Sequence, residues 1–214
     1  MITHRAPTRL LATALAALAG FVDATGYLST EQLFVSFMSG NSTRLAVDGA
    51  QGAPTAVRAA VIIGLFVLGA CGGSLVARAA GRWQRCAVMT LVTGLLGLAW
   101  GMSAANAPWL SIVSLAAAMG AENAVFEQGG SGGLGLTYVT GSLVRCGQGL
   151  SAVIGGGSPK PGWLADVLLW IGLVGGALGG ALLHARIGDA NLLVATGAGA
   201  VLAGLAALPP FRSG

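Results

Sequence analysis

A chain of 214 residues that is 55% hydrophobic and 8% charged, with a mean hydropathy of +0.79, has too few charges for a water-exposed surface, where about a quarter of positions carry one. It reads as a membrane protein with no room for a separate soluble domain. The formal net charge of +4 comes from arginines at the ends of apolar segments, which report orientation in a bilayer before they suggest nucleic acid; no nucleic-acid partner is expected.

In chain order, the run Leu10 to Leu28 comes first, preceded by Arg5 and Arg9 and carrying Asp23. Its arginines and small residues allow a cleavable signal peptide. Against that, the run continues through Phe21 and Val22 to a full span, close to the 20 residues that cross about 30 Å of hydrocarbon. A polar phrase, FVSFMSGNSTRLA, runs from Phe34 to Ala46. Ala56 to Ala77 and Cys86 to Ala104 are plain apolar spans, separated by a loop with Arg78, Arg82 and Arg85. Trp109 to Val125 carries Glu122 and Asn123, a second polar phrase, GLTYVTGSLVRCG, runs from Gly135 to Gly147, and the spans Trp163 to Leu183 and Asn191 to Leu208 follow. Cys71, Cys86 and Cys146 have neither metal-ligand nor redox spacing and read as packing residues, so no metal or other cofactor is expected.

The two phrases read as copies. A shift of 101 places sets Ser36 on Thr137, Phe37 on Tyr138, Ser39 on Thr140, Gly40 on Gly141, Asn41 on Ser142 and Arg44 on Arg145. The helices before them match as GFVDA (20–24) and GAENA (120–124), and those after them as GACGGSLVAR (69–78) and GALGGALLHAR (176–186). The expected fold is an all-α polytopic membrane protein, one transmembrane domain over 1–214, with internal repeats 1–106 and 107–214.

Charge decides whether a phrase crosses the membrane. The N-terminal arginines and the Arg78 to Arg85 loop should both be cytoplasmic, which needs an even number of crossings between them. The first phrase then dips in and returns. Each repeat has three transmembrane helices plus a re-entrant or broken helix, the second repeat is inverted, and both termini are cytoplasmic. A helix descending from Glu31 to Ser39, a turn at Ser39-Gly40-Asn41 and an ascent from Asn41 to Ala50 would reach about half a bilayer deep. The alternative is eight spanning helices in two parallel four-helix repeats, because Leu134 to Gly155 is long enough to span.

A broken helix leaves backbone N–H groups that hydrocarbon does not satisfy, and these make a donor cluster suited to a polar solute or anion. Ser39 and Thr140 are candidate caps, and Gly40 and Gly141 suit a break. Ser39, Gly40, Asn41 and Arg44, with Thr140, Gly141, Ser142 and Arg145, form the candidate substrate site. Each arginine can instead pair with an acid such as Asp48 or Glu127, or snorkel to the surface. Asp23, Glu122 and Asn123 are candidates for proton coupling or for ion pairs with those arginines. The glycines at 69, 72, 73, 172, 175, 176, 179 and 180 have small-xxx-small spacing, a packing device that also allows a homo-oligomer. Trp83, Trp100, Trp109 and Trp163 read as interface anchors.

The stretches GFVDATGYL, FVSFMSGNSTRL, GAENAVF and TYVTGSLVR resemble the hallmarks of the YoaK-like bacterial inner-membrane proteins, domain of unknown function 1275, over nearly the whole chain. The resemblance implies a multi-pass protein of the inner (cytoplasmic) membrane and no particular activity. Ser39, Ser42 and Ser142 are mild departures from that family's phrases. Glu122 stands where the family often has Gln, which puts a universal role for this acid in doubt.

With no P-loop and no Ser-His-Asp arrangement, an ATP-driven pump or a hydrolase is not expected. The leading expectation is a secondary transporter or channel for a small, anionic solute bound between the repeats near the midplane. The alternatives are a membrane-embedded enzyme acting on a lipid or isoprenoid, and a membrane assembly partner.

Overall fold

The computed structural model of the chain describes residues 6–30, 32–127, 139–158 and 162–209. Arg5, Glu31, Thr137 and Tyr138, which the sequence reading used, lie outside the described residues. Eight α-helices are formed among the described residues: α1 (Ala6–Ser29), α2 (Met38–Ala50), α3 (Thr55–Ala80), α4 (Gln84–Ala104), α5 (Pro108–Glu122), α6 (Val139–Ile154), α7 (Trp163–Ile187) and α8 (Leu192–Ala206). Four helical stretches are long and apolar enough to cross a membrane: Pro7–Ser29, Thr55–Ala104, Pro108–Phe126 and Trp163–Ala206. The second and fourth break at Gly81 (φ 52°) and Gly188 (φ 58°), a left-handed backbone that glycine adopts at little cost. The chain reverses at each break, so α4 runs antiparallel to α3 and α8 antiparallel to α7.

Glycine sets the closest helix crossings. In α7, a Cβ on Gly172, Gly176 or Gly180 would collide with the carbonyl of Thr13, Ala17 or Phe21 of α1. In the same interface, Gly20 of α1 faces the Leu173 carbonyl. A second pair is built alike: Gly69 and Gly73 of α3 face the carbonyls of Ala117 and Ala121 of α5, and Gly120 faces that of Phe66. Lipid tails are as apolar as leucine, so burial alone gives such helices little reason to associate. Close backbone approach supplies the dispersion contacts that hold them together. The outward faces stay apolar, with Leu68, Leu75, Leu178 and Leu182 exposed, as a surface facing lipid requires.

Those contacts also fix helix direction. Residue numbers rise together across α1 and α7, and again across α3 and α5, so each pair is parallel. Between α4 and α8 they run oppositely, Gly97 lying against Thr196 and Gly199 against Thr93. Asp189 accepts hydrogen bonds from Ser29 Oγ at 2.6 Å and Ser103 Oγ at 2.8 Å, which gathers the C-terminal ends of α1, α4 and α7. At the opposite end, Gln84 Nε2 at the start of α4 donates to the Ala124 carbonyl at 3.0 Å, and Ser74 Oγ near the end of α3 donates to Glu127 at 2.5 Å. Thus α1, α4 and α7 run one way and α3, α5 and α8 the other. Both ends of the segment linking α1 to α3 lie at the Asp189 end of the bundle.

The break in that segment lies earlier than the sequence suggests. Residues 30 and 32–37 are irregular, whereas Ser39, Gly40 and Asn41 sit inside the first turn of α2, which begins at Met38. No helix descends before it. The reason is local: side-chain acceptors on α1 and α2 satisfy the backbone at 33–36 and so relieve it of helical pairing. Ser39 does not cap, since Phe37 holds the N-cap position without a side-chain hydrogen bond.

Two neighbouring glycines test the packing account. Gly176→Ala places a methyl group against the Ala17 carbonyl and should destabilise the protein by about 1–3 kcal/mol. Gly175, with nothing within 4 Å of a Cβ, should accept alanine with unchanged or slightly raised stability. Thermal unfolding of the two purified variants reads the difference.

Candidate functional site

The irregular segment is held by polar side chains at each step. Oδ1 of Asp23, on α1, accepts the N–H groups of both Val35 and Ser36 at 2.8 Å. Asn41, fully buried on α2, accepts the N–H of Phe34 through Oδ1 at 2.9 Å and donates from Nδ2 to the carbonyl of the same residue at 2.6 Å. Thr30 Oγ1 accepts the N–H of Leu33 at 3.0 Å. Apolar packing completes the hold. Leu33 and Val35 are fully buried, Val35 fits a notch opened by Gly26 of α1, and Phe34 packs tilted against Tyr27 (centroids 4.9 Å apart) and edge-to-face with Phe37 (5.3 Å). Gly40 has its own purpose here: a Cβ would strike the Phe37 ring.

Beside Asp23 lies a cavity of ≈ 520 Å³. It is walled by Asp23 and Tyr27 from α1, Ser36 and Phe37 from the irregular segment, and Leu173 from α7. Val139, Thr140 and Leu143, from the first turns of α6, complete its lining. Residues of both polar phrases therefore meet at one cavity.

The arginines lie elsewhere. Arg44 Nε reaches Asp48 one turn along α2 at 3.3 Å, and Asp48 also accepts the Thr55 hydroxyl at 2.6 Å. The Thr55 hydroxyl, and after it Arg44, hold the Asp48 carboxyl below its ordinary value. Arg145 binds Asp166 of α7 through Nε at 2.9 Å and Nη2 at 2.7 Å, and donates to buried Ser142 at 3.0 Å. Neither guanidinium lines the cavity. Nor does Glu122, which is fully buried, or Asn123, whose Nδ2 donates to the Met119 carbonyl at 2.9 Å. Gly141 is helical in the first turn of α6.

Of the expected site, then, Asp23 and Thr140 line the cavity, Asn41 shapes it from behind, and the arginine pairs brace α2 and α6. The reading of the chain missed Asp166, although an acid in the first turn of a helix facing Arg145 is a signal it could have used. It also missed Gly26, Tyr27 and Phe34, which stood inside quoted stretches without an assigned role.

An all-helical, multi-pass membrane protein with a cavity beside a broken segment is the class these features define. The chain belongs to the DUF1275 family: residues 11–205 match the family described as "Protein of unknown function (DUF1275)". It is similar to the UPF0700 transmembrane protein RA0705 of Rhizobium meliloti (strain 1021), at 38% identity over 203 residues that cover 94% of this chain and 87% of the relative. No solved structure matches it.

The hydrogen bonds predict distinct outcomes at Asp23. Asparagine keeps an Oδ1 acceptor for both N–H groups, so Asp23→Asn should fold with little loss. Asp23→Ala leaves two buried donors unsatisfied and should cost about 2 kcal/mol or more. Unfolding of the two variants in detergent, monitored by circular dichroism, checks this order.

Proposed function

We propose that the protein is a secondary transporter or channel for a small solute, made of two inverted repeats in a bacterial inner membrane, with the cavity beside Asp23 as its solute site. The observation that carries this reading is that both polar phrases contribute to one cavity, the place where inverted-repeat carriers bind their cargo. The protein then works by binding and moving a solute, not by transforming one.

Several contacts support the repeats. Ala17, Gly20 and Phe21 of α1 correspond to Ala117, Gly120 and Ala121 of α5, and each set meets equivalent positions of α7 and α3: Gly176 and Gly180 in one case, Gly69 and Gly73 in the other. Gly81 and Gly188 occupy the corresponding breaks and have similar positive φ. Beyond them, Gln84 and Asn191 each reach back to the opposite repeat, Gln84 to the Ala124 carbonyl and Asn191 to Thr25 Oγ1 at 2.8 Å. Equivalent helices run in opposite directions, as inversion demands.

The same directions support a re-entrant first phrase. The segment leaves and returns at the Asp189 end, and α2, with 13 residues, rises about 20 Å, well short of a 30 Å hydrocarbon core. Arg9, Arg78, Arg82 and Arg85 lie towards the opposite end, where Arg145 also pairs with the first turn of α7. That end is the cytoplasmic one by the charge rule, so both termini are cytoplasmic.

The anionic preference expected from Arg44 and Arg145 loses its basis in this site, because each guanidinium is bound by an aspartate outside the cavity lining.

With the native cysteines replaced, single cysteines near Gly81 should react with a membrane-impermeant maleimide only from the cytoplasmic side, and those near Ala105 only from outside. An external Gly81 would overturn the inverted arrangement. Filling the cavity by Thr140→Trp should abolish solute flux in proteoliposomes while leaving unfolding unchanged. A substrate-dependent product from the purified protein would favour the membrane enzyme, and a stable co-purifying protein without flux the assembly partner.

A further inference from the structure

The lining of the cavity points to the charge of its occupant. Among the described residues around it, Asp23 is the single formal charge, and no lysine, arginine or histidine faces in. Its Oδ1 accepts two backbone N–H groups, dipoles that favour the ionised form and bring no countercharge. Apart from the hydroxyl-bearing Ser36 and Thr140, the remaining walls are aromatic or aliphatic, with Tyr27, Phe34 and Phe37 from α1 and the irregular segment, and Leu143, Leu173 and Ala177 from α6 and α7. In so apolar a space an anion would meet an unscreened carboxylate and lose its hydration without return. A cation gains from the carboxylate and from the ring faces, a contact that strengthens when water is excluded.

We infer that the cavity takes an organic cation, an ammonium or similar head carrying apolar substituents. The head lies near Asp23 and the aromatic rings, and the substituents fill the aliphatic side. A volume of ≈ 520 Å³ exceeds the need of a bare metal ion or ammonium and suits a body of drug-like or smaller size. A bare inorganic cation would also find few of the oxygen ligands it prefers. This inference rests on the cavity being the solute site and adds the class of solute.

The test uses benzyltrimethylammonium as the cation, benzenesulfonate as the anion of similar size and benzyl alcohol as the neutral probe, by equilibrium dialysis on protein in lipid nanodiscs. The expected result is saturable binding of benzyltrimethylammonium with no competition by benzenesulfonate. Asp23→Asn, which retains both N–H acceptors, should unfold at the same temperature as the parent yet bind the cation roughly thirtyfold more weakly, the loss expected for one desolvated charge contact. Phe37→Leu should weaken it by about threefold, as removal of one ring face does. Equal cation binding by the parent and Asp23→Asn would overturn the inference, as would preferential binding of benzenesulfonate or benzyl alcohol. Flux separates the two readings. Cation binding without any transport leaves the cation site standing and removes the carrier, whereas anion flux that Thr140→Trp blocks keeps the carrier and removes the cation.

Discussion

A peptide backbone cannot lie broken and buried without partners, and this chain breaks its backbone between α1 and α2. Each buried N–H or carbonyl left unpaired there would cost several kcal/mol. Asp23 and Asn41 remove most of that cost with a handful of hydrogen bonds to Phe34, Val35 and Ser36. Once they are in place, α2 has a fixed starting point, the Phe34 and Phe37 rings are positioned, and the cavity has a wall. The polar residues of the first phrase serve first to make an irregular backbone tolerable. An acid that lines a cavity while holding a backbone turn also couples the two, because anything that draws on the carboxylate draws on the turn.

The helices around this feature interlock across the chain. α1 packs on α7 and α3 on α5, so the first half of the sequence cannot complete its packing without the second. Glycines make this possible by letting carbonyls of one helix sit where side chains of the other would be. Gly64, Gly72, Gly94 and Gly175 meet nothing within 4 Å of a Cβ, so only part of the glycine content is used in these crossings. The polar knot of Asp189 with Ser29, Ser103 and His184, whose Nδ1 lies 3.5 Å away, ties three helix ends where the apolar faces give out.

Much of this was legible in the sequence. The apolar runs led directly to the helices, and the glycine spacing marked faces that pack closely without saying which helices pair, because span length and small-residue periodicity are local properties whereas pairing is not. Asp23 stood out as an acid in an apolar helix, and Arg44 met Asp48 as one of the weighed pairings. The position of the break was less legible. Gly40 and Ser39 look like a turn, but the turn forms where acceptors reach the backbone, and that depends on Asp23 and Asn41 meeting from two helices. The arginine partners were legible only in part, because Asp166, far along the chain, faces Arg145. Glu122 was conspicuous as an acid, yet it aligns with Val22, a core position, and it is buried without lining the cavity.

A re-entrant first phrase would enter and leave the membrane from one face with its tip beside Asp23. Spin labels placed singly from residue 30 to residue 50, in protein reconstituted into bilayers, give depth through their relative collision with oxygen and with a water-soluble nickel complex. The predicted profile is V-shaped: shallow at Thr30, deepest near Val35 to Phe37, and shallow again by Ala50, with the α-helical period superimposed only from Met38 onward. A profile that runs from one face of the membrane to the other, with helical periodicity throughout, would contradict it.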